Sequence, residues 1–358
     1  MKVAINGFGR LGRCIARVIL QKEGIEIVGI NDIANHQNLA YLFQKDSMHG
    51  ALDAKVWCEG QMLHIAPNTP ITSPNPQNLH HTHHTHSRAQ SQLQPQRIPL
   101  FACANPNELD FGSLGADVVI ESSGKFLDSA SSAHHLQKGV KKVIISAPAI
   151  DDTKTFVLGV NAQDYKGERI ISNASCTTNC LAPIAMILER EFGIQKATLS
   201  TIHSYTNDQN LLDVPHHSDK RRSRAAAINI IPTSTGVAKA LYKVIPSLKD
   251  KIHGHSLRVP IADVSMVDLN AYLAKSVDAK TLNDLFIAES KGALKGILGI
   301  DEEFGVSSDF VGDSRSAIVA KDLTFSLDNM AKIMAWYDNE WGYSNRIVEM
   351  AQFILSQE

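Results

Sequence analysis

Val3 and Ile5 alternate with smaller or polar neighbours in the opening segment, which then breaks into Gly7-Phe8-Gly9-Arg10-Leu11-Gly12. Leu11, Ile15, Val18 and Ile19 follow on one face of a helical pattern, and Gly24 stands where that helix is expected to close. An apolar run from Ile25 to Ile30 then ends at Asn31-Asp32. The order strand, glycine turn, helix, strand is a βαβ unit. Two more strands of buried type end in polar residues: Asp117 to Ile120, before Glu121-Ser122-Ser123-Gly124, and Lys142 to Ile145, before Ser146-Ala147-Pro148. Solid apolar runs predict a parallel sheet covered on both faces, whose strand C-termini line a ligand crevice.

Beyond about Ser175 the pattern changes to longer alternating strands, Val264 to Leu273 and Lys332 to Tyr337, interspersed with amphipathic helices. That texture predicts a second, mixed or antiparallel sheet. Ile347, Met350, Phe353 and Ile354 give residues Asn345 to Gln357 helical spacing, so the chain is expected to end in a helix that packs back. The stretch Ser73 to Gln96 fits neither pattern. It is rich in Pro, Gln, Asn, Ser and His, cannot bury a core, and is expected to be a mobile surface loop.

Length and composition agree with two cores: 358 residues, 44% hydrophobic and 20% charged. The balance of 35 basic against 37 acidic residues offers no footprint for nucleic acid or an anionic membrane. The start turns polar and glycine-rich too soon for a signal peptide, so a cytoplasmic location is expected. Five cysteines scattered along the chain do not make a disulfide framework, and 15 histidines are a surplus.

Gly7, Gly9 and Gly12 follow a strand and open a helix, and Asp32 lies twenty positions past Gly12. In that context Gly7 allows the tight turn, Gly9 lets a pyrophosphate approach the backbone, and Gly12 lets helix and sheet pack closely. A carboxylate at Asp32 accepts from ribose hydroxyls and repels a 2′-phosphate, which predicts NAD over NADP. The expected fold class is α/β, a Rossmann-type doubly wound NAD-binding domain over 1–175 with an α+β catalytic domain over 176–340. The helix in 341–358 is expected to return to the first domain.

Ser175-Cys176-Thr177-Thr178-Asn179-Cys180 precedes an apolar helical run, which puts Cys176 at a helix N-terminus where the dipole favours thiolate. A strand over Thr198 to Ile202 ends at His203, a candidate base for that thiol. On spacing alone two readings stand: a nucleophilic pair, or a small buried hydrophobe and a satisfied core histidine. Packing accounts for Cys14, Cys58, Cys103 and Cys180. Lys220-Arg221-Arg222-Ser223-Arg224, Thr233-Ser234-Thr235-Gly236 before a helical pattern, and an isolated Arg258 are candidate anion sites. Each is also readable as a solvated loop or a plain helix cap.

The strings INGFGRLGR, SNASCTTNCLAP, HSYTNDQ, RRSRAAAINIIPTSTG, LRVP and WYDNEWGYSNR, in this order, resemble the phosphorylating glyceraldehyde-3-phosphate dehydrogenase family over essentially the whole chain except 73–96. The resemblance implies Cys176 as nucleophile and His203 as its base, acting on D-glyceraldehyde 3-phosphate with NAD and inorganic phosphate through a thiohemiacetal and a thioester. It implies that Thr206, Asp208 and Arg258 hold the substrate's phosphate, that Ser175, Thr177, Thr235 and Gly236 hold the attacking phosphate, and that Arg222 lies near both. Asn339 would hold the nicotinamide carboxamide, while Phe126 and Ser146 would lie along the dinucleotide with Arg10 and Leu11 of the turn. Ile33 with Pro215 resembles the NAD-preferring form. A homotetramer is implied, with the segment after His203 approaching a neighbour's cofactor site.

Cys103-Ala104-Asn105-Pro106 departs from the family pattern, which carries a cation before an Asp-Pro, so one contact near the adenine is expected to be missing. The nearest alternative enzyme is erythrose-4-phosphate dehydrogenase, which lacks the Thr-Gly of TSTG and the Tyr-Thr-Asn-Asp run present here. A further alternative is an added metal-binding role: His80 to His86 packs five imidazoles into seven residues, a pattern that chelates Ni²⁺, Cu²⁺ or Zn²⁺. No metal is expected in the catalytic site.

Overall fold

The computed structural model describes residues 1–68 and 95–358. The histidine tract at His80 to His86, and nearly all of the surface loop expected over 73–96, therefore lie outside the described residues. Gln96 itself opens a strand.

The first sheet contains β1 (Lys2–Asn6), β2 (Glu26–Asn31), β3 (Ala54–Glu59), β4 (Met62–Pro67), β5 (Gln96–Phe101), β6 (Val118–Glu121), β7 (Lys142–Ile145) and β8 (Ile170–Ser172). Their spatial order is β3-β4-β5-β2-β1-β6-β7-β8. From β5 to β8 every pairing is parallel, as the apolar runs predict. The other edge departs from that expectation, because β3, β4 and β5 pair antiparallel. The reason is visible in β3, whose side chains alternate between buried and exposed, as one face of an antiparallel ribbon toward solvent requires.

Helices α1 (Arg10–Ile19), α2 (His36–Gln44) and α3 (Ser129–Ser132) accompany this sheet. α1 stops at Leu20, and Gly24, with φ of +74°, belongs to the turn beyond it; the helix thus ends sooner than the glycine predicts.

The second sheet follows α4 (Cys176–Phe192) and contains β9 (Ile194–Ser204), β10 (Ile231–Ser234), β11 (Ile252–Val259), β12 (Ser265–Leu273), β13 (Leu298–Asp301), β14 (Ala317–Ala320), β15 (Phe325–Leu327) and β16 (Met330–Tyr337). α5 (Val237–Val244), α6 (Ala279–Lys291) and α7 (Trp341–Ser356) complete the elements named here. The strand order is β10-β11-β9-β12-β16-β14-β13, with β15 paired to β16. β9 runs parallel to β11 and antiparallel to β12, so this sheet is mixed.

α7 begins four residues before the apolar spacing shows it, because Asp338 Oδ1 accepts from the Glu340 and Trp341 N–H groups at 2.9 and 2.6 Å. Its Ile347, Val348, Met350 and Ile354 share one core with Val3, Ile5, Ile15 and Val18. A separate core joins Leu181, Ile184 and Leu188 of α4 to Leu199, Val267 and Ile333 of the second sheet. Cys176 packs against both cores, so the candidate nucleophile lies on the seam between them. Among the described residues no helix is long and apolar enough to cross a membrane.

Candidate active site

The glycine turn sits at the C-terminal edge of the first sheet, between β1 and β6, where the order of strands reverses direction. Gly7 has φ of +93°, and a Cβ there would lie 2.5 Å from the Ser123 nitrogen. A Cβ at Gly12 would lie 2.1 Å from the Gly7 carbonyl oxygen. Both glycines are therefore demanded by the protein itself. Gly9 is different: its φ of −67° suits any residue and a Cβ would meet no atom within 4 Å. What excludes a side chain there is a group the protein does not contain. Gly9 is also the N-cap of α1 and no side chain caps the helix, so its first N–H groups face that open space.

Gly12→Ala is expected to lose about 1–3 kcal/mol of stability by overpacking. Gly9→Ala should unfold at the parent's temperature yet bind NAD at least about ten-fold more weakly, as calorimetry would read it.

Asp32 accepts from the Phe8 N–H at 2.7 Å and the Ala34 N–H at 2.9 Å, which fixes the carboxylate at the mouth of the turn with lone pairs to spare. Arg10 does less than the resemblance implies. Its guanidinium pairs with Asp46 and with Glu340, at 2.5 Å for the latter, so the backbone of Arg10 and Leu11 is what the turn offers an anion. Ile33 is 61% exposed beside Asp32. Ser146 closes β7 with its N–H on the Glu121 carbonyl at 2.9 Å, and Phe126 stacks edge-on against His134.

Cys176 is the first residue of α4, after Ala174 at φ of +57° and the N-cap Ser175, whose hydroxyl accepts from the Thr178 N–H at 3.1 Å. The left-handed step at buried Ala174 turns the chain from β8 into the helix. His203 arrives from the end of β9, and its Nε2 lies 3.7 Å from Cys176 Sγ. Arg258 is its cross-strand neighbour on β11, with Nη1 2.7 Å from His203 Nδ1 and donating to the Ser204 carbonyl at 3.0 Å. His203 Nδ1 also reaches that carbonyl, at 2.8 Å. Nδ1 can donate to the Ser204 carbonyl or accept from Arg258 Nη1, and only the first tautomer leaves Nε2 as an acceptor for the thiol proton.

The electrostatics reverse one expectation. Burial pushes the Cys176 thiol above its ordinary value, against the Thr177 hydrogen bond and the Arg258 charge. Burial and Arg258 together press His203 down to about 3. Desolvation outweighs the helix N-terminus, and both shifts favour a neutral thiol beside a neutral imidazole.

The anion candidates fall into two groups. Arg258 has a buried Nε without a hydrogen-bond partner among the described residues. Arg222 donates to Thr233 at 2.9 Å and pairs with Asp208, which also meets His216 at 3.2 Å. Asp208 thus meets both Arg222 and His216. Thr206 lies between His203 and Asp208 in the loop after β9. Thr235 and Gly236 lie past the other end of β10: Ile231 faces Arg258, whereas Ser234 faces His255. Gly236 is the N-cap of α5 without a side-chain cap, and a Cβ there would meet no atom within 4 Å, so this helix end is also open. The Ser175 and Thr177 hydroxyls already have partners, Thr178 and Tyr337. Pro215 is exposed in the apolar stretch that follows.

Asn339, at the end of β16, accepts the Ser204 and Ser265 hydroxyls at 2.9 and 2.7 Å through its carboxamide oxygen. That fixes the amide and leaves its NH2 as the half offered to a ligand. Ser204, Ser265 and the buried Tyr337 were not predicted from sequence; single hydroxyls inside apolar strands carry no spacing signal. The same holds for Glu121, buried with His135 at 2.9 Å and Asn6 at 2.6 Å beneath the crevice.

The sequence model of the "Glyceraldehyde 3-phosphate dehydrogenase, NAD binding domain" matches residues 1–84, and that of the corresponding "C-terminal domain" matches 175–339. The chain is 48% identical to a glyceraldehyde-3-phosphate dehydrogenase of Helicobacter pylori over 99% of both proteins. It is 44% identical to glyceraldehyde-3-phosphate dehydrogenase 1 of Bacillus subtilis, over 100% of this chain and 99% of that one. A protein of Pinus sylvestris named glyceraldehyde-3-phosphate dehydrogenase, cytosolic, is 43% identical over 98% of this chain and 96% of its own. With a cysteine-histidine pair on the seam and an uncapped glycine turn at the strand crossover, the chain belongs to the glyceraldehyde-3-phosphate dehydrogenase family.

Proposed function

We propose that the protein oxidises D-glyceraldehyde 3-phosphate with NAD and inorganic phosphate to 1,3-bisphosphoglycerate and NADH, with Cys176 as nucleophile and His203 as base. The observation that carries this reading is the 3.7 Å approach of His203 Nε2 to the Cys176 thiol, with Arg258 against the far side of the same ring. The thiol adds to the aldehyde carbon while Nε2 takes its proton, and the same nitrogen returns that proton to the developing oxyanion. His203 then withdraws it again as the carbonyl re-forms. NAD, when bound, supplies the acceptor for the hydride lost from the thiohemiacetal carbon. A thioester on Cys176 remains, and attack by inorganic phosphate releases the acyl phosphate and restores the thiolate.

The residues present fit the dinucleotide. The open space at Gly9 and the uncapped start of α1 suit a pyrophosphate, Asp32 suits ribose hydroxyls, and the fixed amide of Asn339 suits the nicotinamide carboxamide. Ser146 and Phe126 border the same crevice. Arg258 with Thr206, and Arg222 steered by Asp208, suit the substrate's phosphate; the α5 start at Thr235-Gly236, with Ser175 and Thr177, suits the attacking one.

A homotetramer is supported by apolar side chains left on the surface after β9: Leu211 and Leu212 are about three-quarters exposed and Ile228 is 80% exposed. The division 1–175, 176–340 and 341–358 is supported by the two cores and the return of α7 to the first, and a cytoplasmic location by the name of the pine relative. The test is steady-state kinetics with glyceraldehyde 3-phosphate and with erythrose 4-phosphate, each with and without phosphate. Turnover of the triose should depend on phosphate; a preference for the tetrose without phosphate dependence would sink the reading.

A further inference from the structure

His49 lies on the segment after α2, its side chain only 4% exposed, and takes no part in the chemistry described above. Its Nε2 is 3.3 Å from Asp263 Oδ2 and 3.5 Å from Asp338 Oδ2, and these three atoms lie within 4.8 Å of one another. On the other side of the ring, Nδ1 is 3.1 Å from Arg10 Nη2 and about as far from Cys14 Sγ, 3.9 Å, as from Glu340 and Asp46. Its ring centroid is 5.1 Å from that of Trp341. Four carboxylates therefore share two basic side chains in a buried space. Burial alone lowers the imidazole's affinity for a proton, but Asp263 and Asp338 outweigh it and push His49 up to about 12.

What matters is where the two gripped carboxylates sit. Asp338 immediately precedes Asn339, and its other oxygen caps α7. Asp263 lies two residues before Ser265, whose hydroxyl holds the Asn339 carboxamide. Between them is Val264, a buried β-branched residue at φ of +65°, whose N–H is held by Asp263 Oδ1 at 2.8 Å. Such a backbone persists only where its surroundings over-determine it. One of the two hydroxyls that fix Asn339, that of Ser265, thus neighbours a carboxylate beside His49, and the residue before Asn339 is the other such carboxylate. His49 is hydrogen-bonded to Asp338 and in ion-pair range of Asp263, whose Oδ2 has no hydrogen-bond partner among the described residues. The other hydroxyl, that of Ser204, comes from β9. His49 is tied in turn to the glycine turn through Arg10.

We propose that His49 is a positioning residue for the nicotinamide: by bridging Asp263 and Asp338 it holds the Asn339 carboxamide at a set place relative to the start of α1. The proposal rests on Asn339 meeting the nicotinamide. Without the bridge Asp263 and Asp338 lose their shared cation; burial and Asp338 already push Asp263 up to about 7, so the two repel only at higher pH, and the segment carrying Asn339 shifts. The bound ring is then misaimed while the thiol, on α4, is untouched. Displacements of this kind cost up to about 100-fold in rate.

His49→Gln is expected to raise KM for NAD about ten-fold and lower kcat, with matching weakening of NAD by calorimetry. KM for the aldehyde phosphate and the alkylation rate of Cys176 by iodoacetamide in NAD-free enzyme should stay within about two-fold of the parent. The double variant His49→Gln with Asp263→Asn should recover much of the NAD affinity at about pH 9, where Asp263 otherwise ionises beside Asp338; loss of packing alone would not be recovered. An unchanged KM for NAD in H49Q, or equal losses in the alkylation rate with no recovery in the double variant, overturns the proposal. If H49Q does not fold, Asp263→Asn alone carries the test: a rise of about three-fold in KM for NAD supports the bridge and no change overturns it. Asn339→Ala separates the underlying reading. Unaltered NAD affinity in N339A overturns the nicotinamide contact itself, whereas weakened N339A beside unaltered H49Q overturns only the role of His49.

Discussion

Cys176→Ser should bind NAD as the parent does and lose about 10⁴-fold or more in turnover. A serine hydroxyl has nearly the shape of the thiol and keeps the contact with Thr177, so the fold and the glycine turn have no reason to move. Its proton is far harder to remove, and the base opposite, His203, is held down to about 3 by burial and Arg258, so it cannot generate an alkoxide. The adjacent cysteine is the control. Cys180 is fully buried in the core of α4, one turn further along, and its ionisation is pushed well above the ordinary thiol range by burial and by the nearby Cys176. Cys180→Ser buries a hydroxyl at a cost of about 1–3 kcal/mol and should keep turnover within a few-fold. Steady-state rates with NAD calorimetry on both variants decide the matter: comparable losses would mean that packing, not chemistry, explains Cys176.

His203→Asn should lower kcat/KM for the aldehyde by about three orders of magnitude. The sign of the pH dependence follows from the two shifts. In the parent the thiol is raised and the imidazole lowered, so across pH 6 to 9 the imidazole is already the free base and the thiolate is the scarce form. The oxidation rate should therefore climb throughout that range, with no step near the ordinary histidine value. In the variant nothing accepts the thiol proton locally, and the residual rate should follow hydroxide concentration more steeply. A parent profile that is flat from pH 6, as a preformed thiolate would give, contradicts the neutral resting pair.

The parts of the site that rest on a few consecutive residues were legible in the sequence. The glycine turn, Cys176 before an apolar helix and His203 at a strand end are each a local pattern, and the structure brings the last two within 3.7 Å. What depends on burial was not legible. The helix N-terminus at Cys176 promises a thiolate, but desolvation on the seam between two cores is a property of the folded chain and it prevails. Asp208 enters the site only through the family resemblance; its ion pair with Arg222 is visible only in the fold. The cluster at His49 draws on residues 10, 14, 46, 263, 338 and 340, and no spacing along the chain announces it. The antiparallel edge was missed because β3 interleaves Lys55 and Glu59 with its buried positions and so presents no solid apolar run like those of β6 and β7.

The antiparallel pairing of β4 with β5 also explains how the chain carries the long histidine-rich stretch. Leu63 faces Ile98 and Ile65 faces Gln96, so the strands fix both ends of the connection in adjacent positions whatever lies between. Closure entropy grows only with the logarithm of length. Stretching a four-residue hairpin turn to the span between these strands is about three doublings, or about 2 kcal/mol. That is a modest burden for a protein with two full cores, and it is the same for any composition. The length of the connection therefore costs the fold little, because the β4–β5 pairing and not the connection sets where its two ends lie.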